Sequence, residues 1–439
     1  MSIDSHTPAH LPARLTISLW DFTWYTQTMP GEPFDDLDRA FSEAVERGYN
    51  TVRICAMPYL LFGPSARGDR SLHFTNLGGD YGQRTRWYNA QGGAILDGRA
   101  HLLKLFQAAQ RHDCYIILSS WEYQQSPSFL ASPDWYRDLL AVAPRERFMA
   151  LAGAMGRLIS FLEDQGVDDR IAYAELHNEV DMSKLRDVAL AGGDPVAAQK
   201  PYLEEAIAAL RAQHPEILMT VCYGAPPVTR MQAAPDNLQV AHFHLYIYGV
   251  LGALVEEAGL RSPSAPFPTD TVRALLRPGA PPFEDWAPRM GEEWRLEATG
   301  VGRRLFYAHD WADPVKWDLW LYDHYGSYRE AMREGITLWL EIVAKWAAEH
   351  GIPTVIGEGY VGYTPLLTSF EEGSVGKDVA EHAIRTGLRL GFWGIILCSN
   401  AAPHHPFWGD VAWQQEWNQR ILATPPSRIT AAPPATSAT

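Results

Sequence analysis

The stretch FDDLDRAFSEAVERGYNTVRICAM, residues 34–57, places a helix pattern directly before a strand pattern. Its first half predicts a helix over residues 34–47, because an apolar stripe recurs at helical spacing until Gly48 ends it. The stripe consists of Leu37, Ala40, Phe41, Ala44 and Val45. Its second half, TVRICAM, is almost continuously apolar, which is typical of a parallel strand covered on both faces. The stretch therefore predicts one helix–strand unit of an α/β fold.

Strand patterns of this kind recur along the whole chain. We predict eight strands, over residues 15–20, 51–57, 114–121, 171–178, 217–223, 238–246, 353–358 and 391–399. Further helical patterns cover residues 99–111, 145–165, 201–213, 328–350 and 379–390. Eight strands with intervening helices predict a closed (β/α)8 TIM barrel of the α/β class. The loop after the first strand, WDFTWYTQTMPG, lacks the Gly-rich phosphate-binding pattern that a doubly wound sheet would require.

A long insertion and a short tail depart from this alternation of strands and helices. Residues 247–327 separate the sixth predicted strand from its helix, far beyond an ordinary loop length. Because this stretch leaves the strand at the end where barrel active sites form, we expect it to lie over the active-site rim. Residues 424–439 are rich in Pro, Ala, Ser and Thr and are predicted to be disordered. We therefore interpret residues 1–423 as a single elaborated catalytic barrel.

The composition excludes several classes of protein. The 439 residues are 46% hydrophobic and 20% charged, as is usual for a globular protein. The 52 acidic and 37 basic residues give a formal charge of −15, which disfavours nucleic acid as a partner. No apolar run reaches the ~18 residues of a membrane helix, and residues 1–14 lack the apolar core of a signal peptide. We therefore expect a cytoplasmic protein without a membrane partner, and the oligomeric state stays open.

The four cysteines are isolated from one another and lie in or beside apolar strand patterns. They are Cys55, Cys114, Cys222 and Cys398. This spacing gives neither a disulfide framework nor a paired metal-binding motif. We therefore predict buried, unreactive thiols, with no metal and no cofactor.

Two glutamates close predicted strands at the rim where barrel enzymes carry their reactive groups. AYAELHNEVD, residues 172–181, ends the fourth strand with Glu179, and TVIGEGYVG, residues 354–362, ends the seventh with Glu358. A carboxylate at the end of a buried apolar strand is costly unless it is paired or functional. Cleavage of a glycosidic bond requires two carboxyl groups that flank one bond. The pair therefore predicts a glycoside hydrolase with a carbohydrate substrate.

With these motifs the sequence resembles clan A of the glycoside hydrolases, and within it the cellulase-like barrels of family 5, over residues 15–400. The matching segments are NTVRI on strand two, the Asn-Glu pair on strand four, AHFHLYIYG on strand six and VIGEG on strand seven. The family's functional positions are filled in order by Arg53, Asn178, Glu179, His244, Tyr246 and Glu358. The resemblance implies that Glu179 is the general acid/base and Glu358 the nucleophile, with Arg53 hydrogen-bonded to the nucleophile.

Two strand ends differ from the family 5 pattern. ILSSWEYQ, residues 117–124, has no His on the third strand and offers Trp121 and Glu122 instead, while ILCSNAAP, residues 396–403, has Asn400 where the family carries a Trp. Asp21 and Trp24 follow the first strand. These five residues are candidate sugar contacts, since aromatic faces stack on sugars and polar side chains bind their hydroxyls.

The expected mechanism depends on how far apart the two carboxyl groups lie. At a separation of ~5–5.5 Å no water fits between sugar and carboxylate, so Glu358 attacks directly and forms a covalent glycosyl-enzyme. Glu179 would protonate the leaving group and then activate water. Arg53 would keep Glu358 ionised, Tyr246 could donate a hydrogen bond to it, and Asn178 would hold the 2-hydroxyl of the sugar. If the insertion forms a pocket, the enzyme is exo-acting on oligosaccharides or small glycosides.

Two alternatives remain open from the sequence. His242 and His244 form an H-x-H pair on one strand face, which would suit a metal-dependent barrel hydrolase. Such an enzyme would usually carry further His and Asp ligands on later strands, and strands seven and eight supply no such set. A catalytically silent sugar-binding barrel would use most of the same residues as an active glycosidase.

Overall fold

The computed structural model describes residues 7–64, 71–74, 93–262, 264, 266–286 and 291–425. Of the predicted disordered tail, residues 426–439 lie outside the described residues. Residues 1–6, the start of the segment 1–14 considered above, also lie outside the described residues.

Within the described residues, nine strands form one parallel sheet that closes into a barrel. The strands of the chain are β1 (Leu15–Asp21), β2 (Thr51–Cys55), β3 (Ser71–Phe74), β4 (Ala94–Asp97), β5 (Tyr115–Ser119), β6 (Ile171–Glu175), β7 (Met219–Thr220), β8 (Cys222–Tyr223), β9 (Ala241–Tyr246), β10 (Thr354–Tyr360) and β11 (Gly394–Ile396). The order in the sheet is β7-β6-β5-β2-β1-β11-β10-β9-β8. Its two end strands, β7 and β8, are the two halves of residues 219–223, interrupted at Val221. The sheet therefore closes on itself and has eight barrel positions, as the sequence predicts.

Helices follow most barrel strands and cover the outside of the sheet. They are α1 (Thr23–Thr26), α2 (Leu37–Glu46), α3 (Pro58–Phe62), α4 (Gly98–Arg111), α5 (Asp134–Ala141), α6 (Arg147–Asp164), α7 (Pro195–Gln213), α8 (Gly249–Glu257), α9 (Asp270–Leu275), α10 (Trp294–Ala298), α11 (Arg303–Trp311), α12 (Pro314–Tyr325), α13 (Arg329–His350), α14 (Ser374–Arg389) and α15 (Val411–Ala423). On β9, for example, Phe243 points outward and packs edge-to-face on Trp346 of α13 at 6.2 Å. The alternate residues of β9, His242 and His244, are buried. Because side chains alternate along a strand, they face the barrel interior.

Helix α2 lies where the hydrophobic periodicity predicts a helix, but its first residue and the edge of its buried face differ from the prediction. Asp36 caps its start, because the side chain accepts a hydrogen bond from the Arg39 backbone N–H at 3.1 Å. The helix therefore begins at Leu37 and not at Phe34. Its buried face holds Ala40, Phe41 and Ala44. The placement of Val45 in this stripe was wrong, since Val45 is 45% exposed. It lies about 100° around the helix from Ala44, beyond the edge of the buried face.

The segment 247–327 contains the helices α8 to α12 and builds a small aromatic cluster of its own. Phe283 packs on Phe267 with ring centroids 4.6 Å apart and on Tyr307 at 5.3 Å. Trp286 packs on the same Tyr307 at 5.8 Å. An addition that the sequence did not predict is the antiparallel pairing of β3 with β4 in the connection after β2.

Two further features concern the membrane and the thiols. Among the described helices, none is both long and apolar enough to span a bilayer. All four cysteines are buried, as predicted. Burial raises the pKa of the Cys114 thiol to about 12, so this thiol stays protonated and unreactive at neutral pH.

Candidate active site

Glu179 and Glu358 meet at the carboxyl-terminal rim of the barrel. Glu358 lies within β10 and is buried, whereas Glu179 follows β6 by four residues and its side chain is 14% exposed. One carboxylate oxygen of Glu179 lies within 4.8 Å of one of Glu358. The backbone of Glu179 has φ +42°, a left-handed conformation that is uncommon outside glycine. Such strained backbone occurs often at functional sites, where surrounding structure holds it in place.

Glu358 accepts hydrogen bonds from several donors at once. Nη1 of Arg53 lies 2.7 Å from Oε1, the Tyr246 hydroxyl lies 2.7 Å from Oε2, and the Tyr363 hydroxyl lies 3.1 Å from Oε2. Burial alone would raise the pKa of Glu358. The nearby His244 and Arg53 outweigh burial and hold this pKa below its usual value. Glu358 is therefore ionised at neutral pH, as a nucleophile must be.

Glu179 has different partners. Its Oε1 lies 2.9 Å from Nδ1 of His244, and its Oε2 accepts a hydrogen bond from the side-chain amide of Gln124. Nε2 of the same His244 lies 3.4 Å from Oε1 of Glu358. His244 is therefore positioned between the two carboxylates. Gly224 leaves room beside Glu179, because a Cβ at this position would lie 3.2 Å from its carboxyl group.

Asn178 is fixed by hydrogen bonds on both sides of its amide. Its Oδ1 accepts from Nη2 of Arg53, and its Nδ2 donates to Oε1 of Gln124 at 2.7 Å. Gln124 therefore connects Asn178 to Glu179. The sequence reasoning missed Gln124, which lies in the loop after β5, where the only signal was its position close to a strand end.

A second buried carboxylate, Glu175, was also missed. It receives two hydrogen bonds from Arg53, at 2.7 and 3.1 Å, and one from Ser119 at 2.8 Å, and its Oε2 lies 3.0 Å from Nδ1 of His242. Burial would raise the pKa of Glu175, but the charge of Arg53 and the hydrogen bond with His242 hold this pKa well below its usual range. The signal was available: alternation along β6 places residues 173 and 175 on the same face, inside the barrel.

His242 is held by Glu175 and Tyr173, whose hydroxyl lies 3.2 Å from the same Nδ1. Burial lowers the pKa of His242 to about 4. Within the described residues, Cys222, His242 and His244 bring potential metal ligands within 4.8 Å of one another. A Cβ built on Gly357 would lie 1.6 Å from Nε2 of His242. This nitrogen therefore abuts the β10 backbone, which leaves little space for an ion.

Of the five candidate sugar contacts at the other strand ends, only Trp121 lines the cavity at this rim. Its Nε1 donates to Ser119 Oγ at 3.0 Å, and the Arg53 guanidinium lies 5.4 Å from the centre of its ring. Trp24 is buried, donates to the carbonyl of Cys55 at 3.0 Å, and stacks on a histidine ring.

The three polar candidates, Asp21, Glu122 and Asn400, are likewise buried and lie outside the cavity lining. Asp21 accepts from the Thr23 backbone N–H at 2.7 Å, and Glu122 accepts from that of Tyr59 at 2.8 Å. Asn400 donates to a glutamate carboxylate, Glu372. Their polar groups serve loop structure near the rim, so the structure does not bring them to the two glutamates.

The cavity over the glutamates has a volume of about 790 Å³. Small-molecule sites commonly measure about 300–1,000 Å³. Its floor comes from the barrel rim, and the residues there are Trp121, Gln124, Gln125, Asn178, Glu179, Asp181, Tyr246, Glu358 and Tyr363. Much of its wall comes from the insertion, with Tyr248, Leu260, Arg261, Phe283 and residues 300–305. The tryptophans of the insertion do not line it.

A closed eight-position parallel barrel with two glutamates at its carboxyl-terminal rim defines a (β/α)8 barrel of the cellulase-like type. The family model described as "Sugar-binding cellulase-like" matches residues 17–422. The chain therefore belongs to this cellulase-like family, and its resemblance to the clan A glycoside hydrolases is confirmed.

Solved structures share the fold at low sequence identity. A candidate glycoside hydrolase from Parabacteroides distasonis is 17% identical, with a TM-score of 0.66 over 95% of this chain and 96% of that one. A glycoside hydrolase family 5 mannosidase from Rhizomucor miehei is 12% identical, with a TM-score of 0.47 over 96% of this chain and 97% of that one. No curated protein matches the chain. The first likeness supports the fold, and neither bears on the substrate.

Proposed function

We propose that this protein is a retaining glycoside hydrolase that works by double displacement. The observation that carries the proposal is the spacing of Glu179 and Glu358, whose nearest oxygens lie within 4.8 Å. Retaining enzymes hold their carboxyl groups about 5–5.5 Å apart, whereas inverting enzymes need about 6.5–9.5 Å to fit a water molecule. The short spacing supports direct attack of a carboxylate on the sugar.

The contacts of the two glutamates support their division of roles. Glu358 is the nucleophile, because Arg53, Tyr246 and Tyr363 donate to its carboxylate and favour the ionised form. Glu179 is the general acid/base, because it is the more exposed carboxyl and faces the cavity that the leaving group and water would enter.

Glu179 first gives its proton to the glycosidic oxygen while Glu358 forms the glycosyl ester. In the second step Glu179 takes a proton from the water molecule that attacks the glycosyl ester and releases the sugar. His244 contacts both carboxylates and holds them at a fixed spacing through these two steps.

We further propose an exo-acting enzyme for oligosaccharides or small glycosides. The support is the shape of the site, since the insertion supplies much of the wall of a cavity that an unmodified barrel rim would leave as an open groove. A polymer that runs across the rim would meet this wall, whereas a chain end or a single glycoside fits beneath it.

The test is a panel of activated aryl glycosides that differ in sugar, with NMR detection of the product anomer. Hydrolysis with net retention, abolished in Glu358→Gln and preserved in the control Glu381→Gln, supports the proposal. Glu381 is a suitable control because it lies on α14 and its carboxylate accepts from Trp413 outside the cavity. Net inversion, or turnover that survives Glu358→Gln, would overturn the mechanism.

The "sugar-binding" description of the family favours one further candidate, a barrel that binds sugars without turnover. The same panel separates the two functions. Ligand-induced NMR shifts with no product for any sugar, in wild-type protein, would favour the silent binder.

A further inference from the structure

The floor and the wall of the cavity differ in chemistry. The floor carries three carboxyl groups, Glu179, Glu358 and Asp181, together with amide and hydroxyl side chains. Among the described residues of the insertion, those that line the wall include no Asp, Glu, Asn or Gln; their side chains are apolar, aromatic or arginine, apart from two glycines. A sugar ring needs many hydrogen-bonding partners, and the floor provides these while the wall does not.

The apolar part of the wall consists of Leu260, Phe283, Val301 and Leu305, and Met182 and Trp339 line the same cavity from outside the insertion. An additional sugar ring placed against these side chains would bury its hydroxyls without partners, which costs free energy. An apolar group placed there would instead gain free energy by leaving water.

The three arginines of the wall are not equivalent. Arg303 donates to the carbonyls of Trp286, at 3.1 Å, and of Phe283, at 3.0 Å. Arg304 donates to the carbonyl of Gly259 at 3.0 Å. These two guanidinium groups hold the insertion together.

Arg261 differs because it is exposed, and its guanidinium lies 4.9 Å from the centre of the Tyr248 ring. It forms no ion pair with a carboxylate of the described chain. Stacking on Tyr248 holds the cation at the cavity wall. An anion is therefore repelled by the ionised Glu358 and attracted by Arg261, so Arg261 is its favourable partner in the cavity.

We propose that the substrate is a glycoside whose leaving group is apolar and carries an acidic substituent. The sugar lies on the carboxylate floor, the apolar body of the leaving group lies along Leu260, Phe283 and Val301, and its anionic group reaches Arg261. This inference rests on the proposed glycosidase function and specifies its substrate class.

The role of the anionic substituent is tested with two aryl glycosides, the 3-carboxyphenyl and the 3-carbamoylphenyl glycoside, which differ mainly in charge. Both carry the sugar that the panel of aryl glycosides identifies as hydrolysed. Wild-type protein should prefer the carboxylate in kcat/KM by about two- to fivefold, the range of an exposed ion pair. The preference should vanish in Arg261→Gln and in high salt, which screens exposed charges. It should persist in Arg273→Gln, an exposed arginine of the same insertion that pairs with Asp270 outside the cavity.

The apolar wall is tested with phenyl and 2-naphthyl glycosides, whose leaving groups have similar acidity. The larger ring should raise kcat/KM by roughly tenfold through added apolar burial. Val301→Ser should reduce this preference, whereas Val315→Ser, at an exposed site of the insertion outside the cavity, should not.

The possible failures are distinguishable. Absence of hydrolysis for every glycoside would refute the proposed glycosidase. Hydrolysis that is indifferent to the carboxylate and to Arg261→Gln, or to ring size and Val301→Ser, would overturn only the substrate class inferred here.

Discussion

Replacing Glu175 by Gln tests whether the ionised form of this buried residue supports the active site. Glu175 and Glu358 each lie 2.7 Å from the single guanidinium of Arg53, and all three side chains are buried. The substituted amide would keep one acceptor for Arg53 but would turn an N–H group toward the other guanidinium nitrogen. Breaking a buried ion pair from one side costs about 3–5 kcal/mol, so we expect a loss of stability in this range.

Glu122→Gln is the matched control. Glu122 is equally buried, but burial raises its pKa, and its oxygens accept from the Tyr59 backbone N–H and the Ser120 hydroxyl, with no cation bound. Removing a charge that has no cationic partner should cost much less. Urea unfolding of both variants and the wild type measures the two differences in free energy of unfolding.

The pH dependence gives a second, independent signature. Because the folded pKa of Glu175 lies well below its unfolded value, its ionisation stabilises the protein above the unfolded pKa of about 4.3. The difference between wild type and Glu175→Gln should therefore be constant from about pH 7 to 5 and shrink progressively below about pH 4.3. A Glu175→Gln cost no larger than that of Glu122→Gln, or a difference that does not change in acid, would refute the reasoning.

Three further outcomes are expected. Glu179→Gln should slow hydrolysis of substrates with poor leaving groups by roughly 10²–10⁴ and much less for activated ones, for which azide should restore turnover; equal losses for both would contradict the acid/base role. Because the pKa of Glu358 is lowered, kcat/KM should fall in acid only below the usual pKa range of a glutamate. Tyr246→Phe removes a hydrogen-bond donor to this carboxylate and should therefore move the acid limb of the pH profile to higher pH. An acid limb that does not move would argue against Glu358 as the titrating group. Chelators should leave kcat unchanged, whereas loss that zinc or manganese restores would favour a metal hydrolase built on His242 and His244.

The barrel could be predicted because each of its strands is an almost continuous apolar run, whereas the ends of several elements and the added pair of β3 and β4 were not predicted. TVRICAM was predicted as a strand to Met57, but β2 ends at Cys55, and Met57 adopts φ +50° as the N-cap residue of α3. Helix α7 was predicted to begin at Pro201, but it begins at Pro195, with Asp194 as its N-cap residue. Caps and left-handed residues depend on a few hydrogen bonds that hydrophobic periodicity does not report.

The sequence could predict those site residues that lie on barrel strands. Arg53, Tyr246 and Glu358 lie on barrel strands, and strand geometry alone brings them to one rim. Asp21 ends β1 with φ +39° and Glu122 follows β5, so local backbone and hydrogen bonds set their direction and strand geometry alone could not place them. The roles of all these residues stay predictions until the variants are measured.

The contact between Gly357 and His242 constrains how this family can vary in sequence. A methyl group at position 357 would overlap the imidazole, since its carbon would lie 1.6 Å from Nε2, and backbone shifts in a closed barrel are opposed by both neighbouring strands. Alanine at position 357 therefore requires a smaller residue than histidine at position 242. The two positions should change together among relatives, and a homologue that keeps the histidine should keep the glycine.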